Sequence, residues 1–117
     1  MRGLGELETA VMDVLWNTSE AQRVRDVLEA ITKERTLAYT TVMTVLDNLH
    51  RKGWVVRHME SRSYRYQAAM SRDEAEAKAL RELLDEAGDP EAVLMHFARS
   101  VSARESEVLR KALDGEP

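Results

Sequence analysis

Leu37-Ala38-Tyr39-Thr40-Thr41-Val42-Met43-Thr44-Val45-Leu46-Asp47-Asn48-Leu49-His50-Arg51-Lys52-Gly53 is the stretch that decides the fold of this 117-residue chain. With Val42 at the origin and about 100° per residue, Val45, Leu46 and Leu49 fall within about 60° of it, an apolar stripe at helical period. A helix is therefore predicted from about Thr41 to Lys52, with Thr40 as its N-cap and Leu37-Ala38-Tyr39 as a short extended piece before it. Two basic residues followed by Gly53 mark its end. The side opposite the stripe carries Thr40, Thr44, Asp47 and Arg51, with Thr41 and Asn48 on one flank and Met43 on the other. An ordinary surface helix would more often carry Glu, Lys and Gln, which form helix better than Thr. Small hydroxyls, an amide, an Arg and a methyl-bearing side chain are what a helix in the major groove needs. Asp47 runs against this, since phosphates repel a carboxylate unless it accepts from a cytosine amine.

Downstream, the period changes from 3.6 to 2. Trp54-Val55-Val56-Arg57-His58-Met59 and Tyr64-Arg65-Tyr66-Gln67-Ala68 read as two strands, and Glu60-Ser61-Arg62-Ser63 between them as a polar turn. Arg62, Ser63 and Arg65 fall at or near the hairpin tip, where a wing that holds phosphates wants them; charge protecting a sheet edge is the plainer alternative. Upstream, Leu7, Val11, Val14 and Leu15 predict a helix over Glu6 to Asn17, and Val24, Val27, Leu28 and Ile31 a second over about Arg23 to Lys33. Three helices followed by a hairpin is the order of a winged helix-turn-helix. After residue 70 come three more helices. Ser71 to Glu74 and Ser102 to Glu105 have capping-box form, and Pro90 stands at a first helical position. Their stripes are Leu80, Leu83, Leu84 and Ala87; Val93, Leu94, Phe97 and Val101; and Val108, Leu109, Ala112 and Leu113. The expected fold is mainly α with a small β-hairpin wing (α+β): a winged-helix DNA-binding domain over residues 1–70 and a helical dimerisation region over 71–117.

Charge divides the chain at the same place. Residues 1–70 hold ten Lys and Arg against nine Asp and Glu, a net of +1, and residues 71–117 hold seven against twelve, a net of −5. Leu49 to Tyr66 alone has five cations against Glu60, an asymmetry that points to a polyanion partner better than the total of −4 does. The chain has no Cys, which excludes disulfides and thiol chemistry and fits a reducing cytoplasm. No run of ~18 apolar residues is present to span a membrane, and Glu6, Glu8 and Asp13 interrupt any signal-peptide pattern. His50, His58 and His96 are scattered, with no metal-binding spacing. Without a nucleophile–base or metal set, no enzyme activity, cofactor or metal is expected.

The 37–46 stretch, Leu49, Arg51-Lys52-Gly53 and Arg62-Ser63-Tyr64-Arg65-Tyr66 together resemble the penicillinase-repressor family (BlaI/MecI, with the related CopY copper repressors). Leu4-Gly5-Glu6-Leu7-Glu8 and Val11-Met12-Asp13-Val14-Leu15-Trp16 resemble its opening helix. The resemblance implies a dimeric winged-helix repressor whose third helix reads an inverted-repeat operator in double-stranded DNA. Thr41 and Thr44 match positions where the family touches DNA, Met43 and Asn48 are variable neighbours, and Arg62 matches the wing. The Cys-x-Cys metal hook of the CopY branch is missing. In antibiotic-sensing members a protease cuts in the C-terminal helices just before a Phe. Met95-His96-Phe97 is similar to that site, with His where the best-known members have Asn, so His96 and Phe97 are the candidate cleavage pair and a regulatory protease or membrane sensor the candidate partner.

The expected DNA-contacting set is Thr40, Thr41, Met43, Thr44, Asn48, Arg51, Lys52, Arg62 and Arg65. The expected homodimer set is Leu80, Leu83, Leu84, Val93, Leu94, Phe97, Leu109 and Leu113, too much apolar surface for three short helices to bury among themselves. Two other readings compete with a repressor of this kind. A winged-helix protein–protein module would want a neutral wing. A ligand-gated repressor would want polar groups clustered with aromatics, and Phe97 is the only aromatic after residue 70.

Overall fold

The computed structural model describes residues 1–117. Its elements run α1 (Glu6–Trp16), α2 (Val24–Ile31), α3 (Tyr39–Arg51), β1 (Val55–Glu60), β2 (Ser63–Ala68), α4 (Arg72–Asp85), α5 (Pro90–Ser100) and α6 (Ala103–Leu113). They divide into a unit of residues 1–79 and a unit of residues 80–117.

The first unit is built around α3. Val42, Leu46 and Leu49 are fully buried and Val45 nearly so. They join Val11, Met12 and Leu15 of α1, Val24, Val27 and Ile31 of α2, and Val55 and Tyr66 of the hairpin in one core. Each large side chain removed from water there contributes about 1.5–3 kcal/mol. The end of α3 follows from Gly53, whose φ of 84° places it in the left-handed region. Its N–H donates to His50 O at 3.1 Å, and the Trp54 N–H donates to Leu49 O at 2.9 Å, the paired bonds of a Schellman stop.

The start of α3 differs from the expectation. The cap is Ala38 rather than Thr40, and Tyr39 is already helical. The Ala38 carbonyl accepts from the N–H groups of Thr41 and Val42 at 3.1 and 3.2 Å. Leu37, just before the cap, packs on the core that contains Val42, the placement of a hydrophobic staple, so apolar packing sets the entry of the chain and no capping side chain is used. Thr40 thus lies in the first turn and is exposed.

The hairpin is tighter than the four-residue turn expected. Glu60 pairs with Ser63, leaving only Ser61 and Arg62 in the loop, with φ of 50° and 71°. Two positive φ values are what a two-residue type I′ turn requires. Val55, Arg57 and Met59 share the inward face with Ala68, Tyr66 and Tyr64. The free side of β2 is covered by Gln22, which exchanges two 2.7 Å backbone bonds with Tyr66, so the wing has a third, single-residue strand that no sequence period announces.

The beginning of α4 is tied to the same unit. The Trp16 indole Nε1–H donates to Met70 O at 3.1 Å, Arg72 pairs with Asp13 at 2.7 Å and lies over the Trp16 ring at 5.1 Å, and Ala75 is buried. The Ser71–Glu74 capping box opens the helix, the Glu74 N–H donating to Ser71 Oγ at 3.1 Å.

In the second unit, Asp89 caps α5 by accepting from the Ala92 N–H at 3.1 Å. Ser102 and Glu105 form the reciprocal box of α6, at 3.1 and 2.8 Å. Val101, expected in the α5 stripe, is the extended residue after the helix, because the Ser102 box starts a new helix there. Neither α5 nor α6 buries any residue in the single chain.

One ion pair joins α1 to the end of α3. Lys52 Nζ lies 2.8 Å from Glu8 Oε1, and the same oxygen accepts from the Gly5 N–H at 2.9 Å. Burial pushes the Glu8 carboxyl up, but the Gly5 N–H and Lys52 outweigh it and hold it below its ordinary value of 4.5. A lowered carboxylate stabilises the fold above its unfolded pKa, and that contribution is lost as pH falls through the folded value. Lys52→Met should therefore cost about 1 kcal/mol near neutral pH. In urea titrations the gap from wild type should narrow as pH falls from neutral through the folded-state value of Glu8, where the carboxylate is lost; a gap that stays constant over the whole acid range would contradict it.

Candidate nucleic-acid interface

Burial of one side of α3 turns the other outward. Thr40, Met43, Thr44 and Arg51 are exposed, and Thr41, Asp47 and Asn48 are partly so. No side chain caps the helix start, so its first N–H groups stay open to a partner. Asp47 is not a lone carboxylate. Arg57 Nη1 approaches its Oδ1 at 3.2 Å, and Arg51 Nε its Oδ2 at 3.5 Å. Arg51 also donates to Asn48 Oδ1, so its guanidinium lies along its own helix.

The basic residues expected to act together separate into three groups. Arg62 stands at the wing tip, exposed and without an ion pair or hydrogen bond within the chain. Arg65 lies on the outward face of the hairpin opposite His58, where its Nε is 3.6 Å from Glu60 and is buried without a hydrogen bond. Lys52 leans away to Glu8 and to the Gly3 carbonyl at 3.3 Å. Unlike Arg62, Lys52 and Arg65 each have a carboxylate partner inside the chain.

The structure also brings in residues that the sequence reading missed. A groove of about 390 Å³ lies between the starts of α2 and α3 and the wing, lined by Arg25, Tyr39, Met43, Met59, Arg62 and Tyr64 among others. Arg23 at its edge is held by Asp26 at 3.0 Å; Arg25 has no such partner. The only signal for Arg25 was its place beside Val24 on the exposed side of α2, and nothing in the linear sequence links it to Arg62. In the sequence Arg57 is one cation of a basic run. Its guanidinium is held further into the charged form, first by the Tyr66 side chain and then by Asp47, and it lies 4.1 Å from the Tyr64 ring centroid.

A second, open groove of about 750 Å³ runs between α1 and the end of α2. Its charges largely pair with one another, Arg35 with Glu6 at 3.4 Å and Arg72 with Asp13 at 2.7 Å. No three His, Cys, Asp or Glu side chains group as metal ligands, and no helix is long and apolar enough to cross a membrane.

A two-strand wing behind a Thr-faced third helix is the geometry that the family comparison meets. The penicillinase repressor family profile matches residues 4–115. The chain belongs to the penicillinase-repressor family. It is 45% identical over 113 residues to the transcriptional regulator BlaI of Mycobacterium tuberculosis, covering 94% of this chain and 82% of that protein. The solution structure of the DNA-binding domain of the repressor BlaI superposes with a TM-score of 0.55 at 26% identity, over 62% of this chain and 87% of that one. The Bacillus licheniformis BlaI monomer, solved in complex with the blaP half-operator, gives a TM-score of 0.51 at 27% identity, over 61% of this chain and 85% of that one. Staphylococcus aureus MepR shares the fold over 97% of this chain and 77% of its own, with a TM-score of 0.53 at 15% identity. Membership makes this chain a DNA-binding transcriptional repressor with a winged-helix fold rather than an enzyme.

The wing tip of this penicillinase-repressor family member carries backbone strain. A non-Gly residue in the left-handed region costs roughly 1–2 kcal/mol, and Gly gives back part of that relief as chain entropy. Arg62→Gly should thus stabilise the fold by about 0.5–1 kcal/mol, and Arg62→Val should destabilise it by at least about 1 kcal/mol. Urea midpoints at unchanged slope would show this; equal midpoints for the two variants would contradict the turn geometry.

Proposed function

We propose that the chain is a homodimeric, cytoplasmic repressor that binds an inverted-repeat operator through α3 and the wing. The observation that carries the reading is the outward face of α3, with Thr40, Met43 and Thr44 exposed and two unpaired arginines, Arg25 and Arg62, lining the same groove as Met43. In this reading Thr40, Thr41, Met43, Thr44 and Asn48 meet base edges, small enough together to let the helix axis come close. Arg25 and Arg62 take phosphates at the groove, and Arg51 stays near the bases through Asn48. Lys52 and Arg65 serve as secondary phosphate contacts at most, given their carboxylate partners. A relative solved on a half-operator supports the reading. The unpaired arginines speak against a module that binds only protein.

Dimerisation through residues 80–117 is supported by what the single chain leaves wet. Leu80, Phe97 and Leu113 are 63%, 54% and 86% exposed, and Leu83, Val93, Leu94 and Leu109 are also exposed, with Leu84 partly so. A second copy covers such a surface and matches a two-fold operator. The partner that lifts repression in this proposal is a regulatory protease or a membrane sensor, and where a protease acts, the cut falls on this unit between His96 and Phe97. That bond lies inside α5, so the helix must open before it is cut. The cut removes residues 97–117 from the dimer, and operator affinity falls because two linked half-sites bind far better than one.

Electrophoretic shifts against duplexes selected by the wild-type protein from a random pool test the reading. Thr44→Glu should abolish specific binding. Arg25→Ala and Arg62→Ala should each weaken all binding and lower the salt slope by about 1. Unchanged slopes would remove both arginines from the interface. Sedimentation at micromolar concentration should show a dimer, and a monomer would count against the second unit's role. A chain recovered at intact mass throughout derepression would exclude the cut.

A further inference from the structure

A carboxylate on the outward face of a DNA-reading helix is costly, and here its cost is met from the wing. Arg57 occupies the middle of the inward face of the hairpin, between Val55 and Met59 and opposite Tyr66. Period two predicts an apolar residue there. Instead the guanidinium stacks 4.1 Å from the Tyr64 ring centroid and reaches Asp47 Oδ1 of α3 at 3.2 Å. With about a fifth of its side chain exposed, it joins α3, β1 and β2 at one point. Arg51 is the other cation on Asp47, but it is more distant at 3.5 Å, more exposed, and shared with Asn48. Arg51 therefore adjusts within its own helix, whereas Arg57 bridges two elements.

We propose that Arg57 is a positioning residue that locks the wing to the recognition helix through Asp47 and Tyr64 and cancels the Asp47 charge where DNA approaches. The inference rests on the reading of α3 and the wing as the DNA surface. It gives Asp47 a purpose that its charge alone does not: the carboxylate is the anchor point on α3, tolerable beside phosphates because Arg57 arrives with it. Helix and wing then meet the duplex as one body, and the spacing between the major-groove contact and the flanking wing contact is set before binding.

The test uses the full chain and two duplexes of equal length, one carrying the inverted repeat selected by the wild-type protein and one scrambled. Arg57→Gln leaves Asp47 facing phosphates with only the more exposed Arg51 beside it, and its operator affinity should fall about tenfold, since poorly compensated like charge is the costly arrangement at an interface. Asp47→Asn in that background should restore affinity to within about threefold of wild type, because the repulsion is gone. Arg57→Lys keeps the charge but not the planar stack and fork, so hydroxyl-radical footprints should keep the backbone protection that borders the α3 contact and lose the flanking wing protection. A protein destabilised only as a fold would lose both protections together. Arg57→Gln binding like wild type, a double variant as weak as Arg57→Gln, or a wild-type footprint from Arg57→Lys would each overturn the proposal. A wild-type chain that selects no duplex at all would instead overturn the DNA-surface reading, and the lock with it.

Discussion

Val42, Leu46 and Leu49 are sealed from water among α1, α2 and the hairpin, and that contact decides where every other side chain of α3 points. At 3.6 residues per turn, burying one stripe presents the opposite one, so Thr40 and Thr44 are outward as a consequence of the core. The same burial holds Val55 and Tyr66 in one core with the helix and so places the wing beside α3. Leu37 enters the core just before the cap, which pulls the helix start back to Tyr39 and leaves its first turn without a side-chain cap. Core packing and the open helix end are thus one arrangement.

Charge is distributed in a second layer over this core. Of the cations near α3, Lys52 is spent on Glu8 and Arg51 on Asp47 and Asn48. Arg57 is placed between Asp47 and Tyr64. What remains unpaired is Arg25 and Arg62, and the fold brings both to the lining of one groove. Exposed ion pairs of this kind contribute little stability one by one; their weight lies in orientation, since a cation already held by a carboxylate is less ready to meet a phosphate. The wing tip adds a different cost. Ser61 and Arg62 accept left-handed backbone that Asn-Gly would take more easily, and the side chain gained at the tip is an arginine.

The second unit obeys a different balance. Its helices are well capped by Asp89 and Ser102, yet α5 and α6 bury nothing within the chain. Short helices rarely persist in water on propensity and caps alone, and the apolar stripes supply what a second copy would bury.

Much of this was legible in the sequence because it depends on near neighbours. The apolar stripe of α3, the Gly53 stop, the change from period 3.6 to period 2 and the two Ser capping boxes are set by residues within four of one another, and the structure shows each of them. The Thr face followed directly from the stripe, and the resemblance carried by residues 37–66 named the family. What only the tertiary structure decided lies between residues distant in sequence. Gln22 pairs with Tyr66 across the wing edge. Lys52 is drawn 44 positions back to Glu8, Arg57 crosses from the hairpin to Asp47, and Arg25 comes to line the same groove as Arg62. Periodicity states which side of an element is buried, because that is a property of one backbone. Which cation meets which carboxylate depends on the angles and distances at which separate backbones pack, and those exist only once the core has closed.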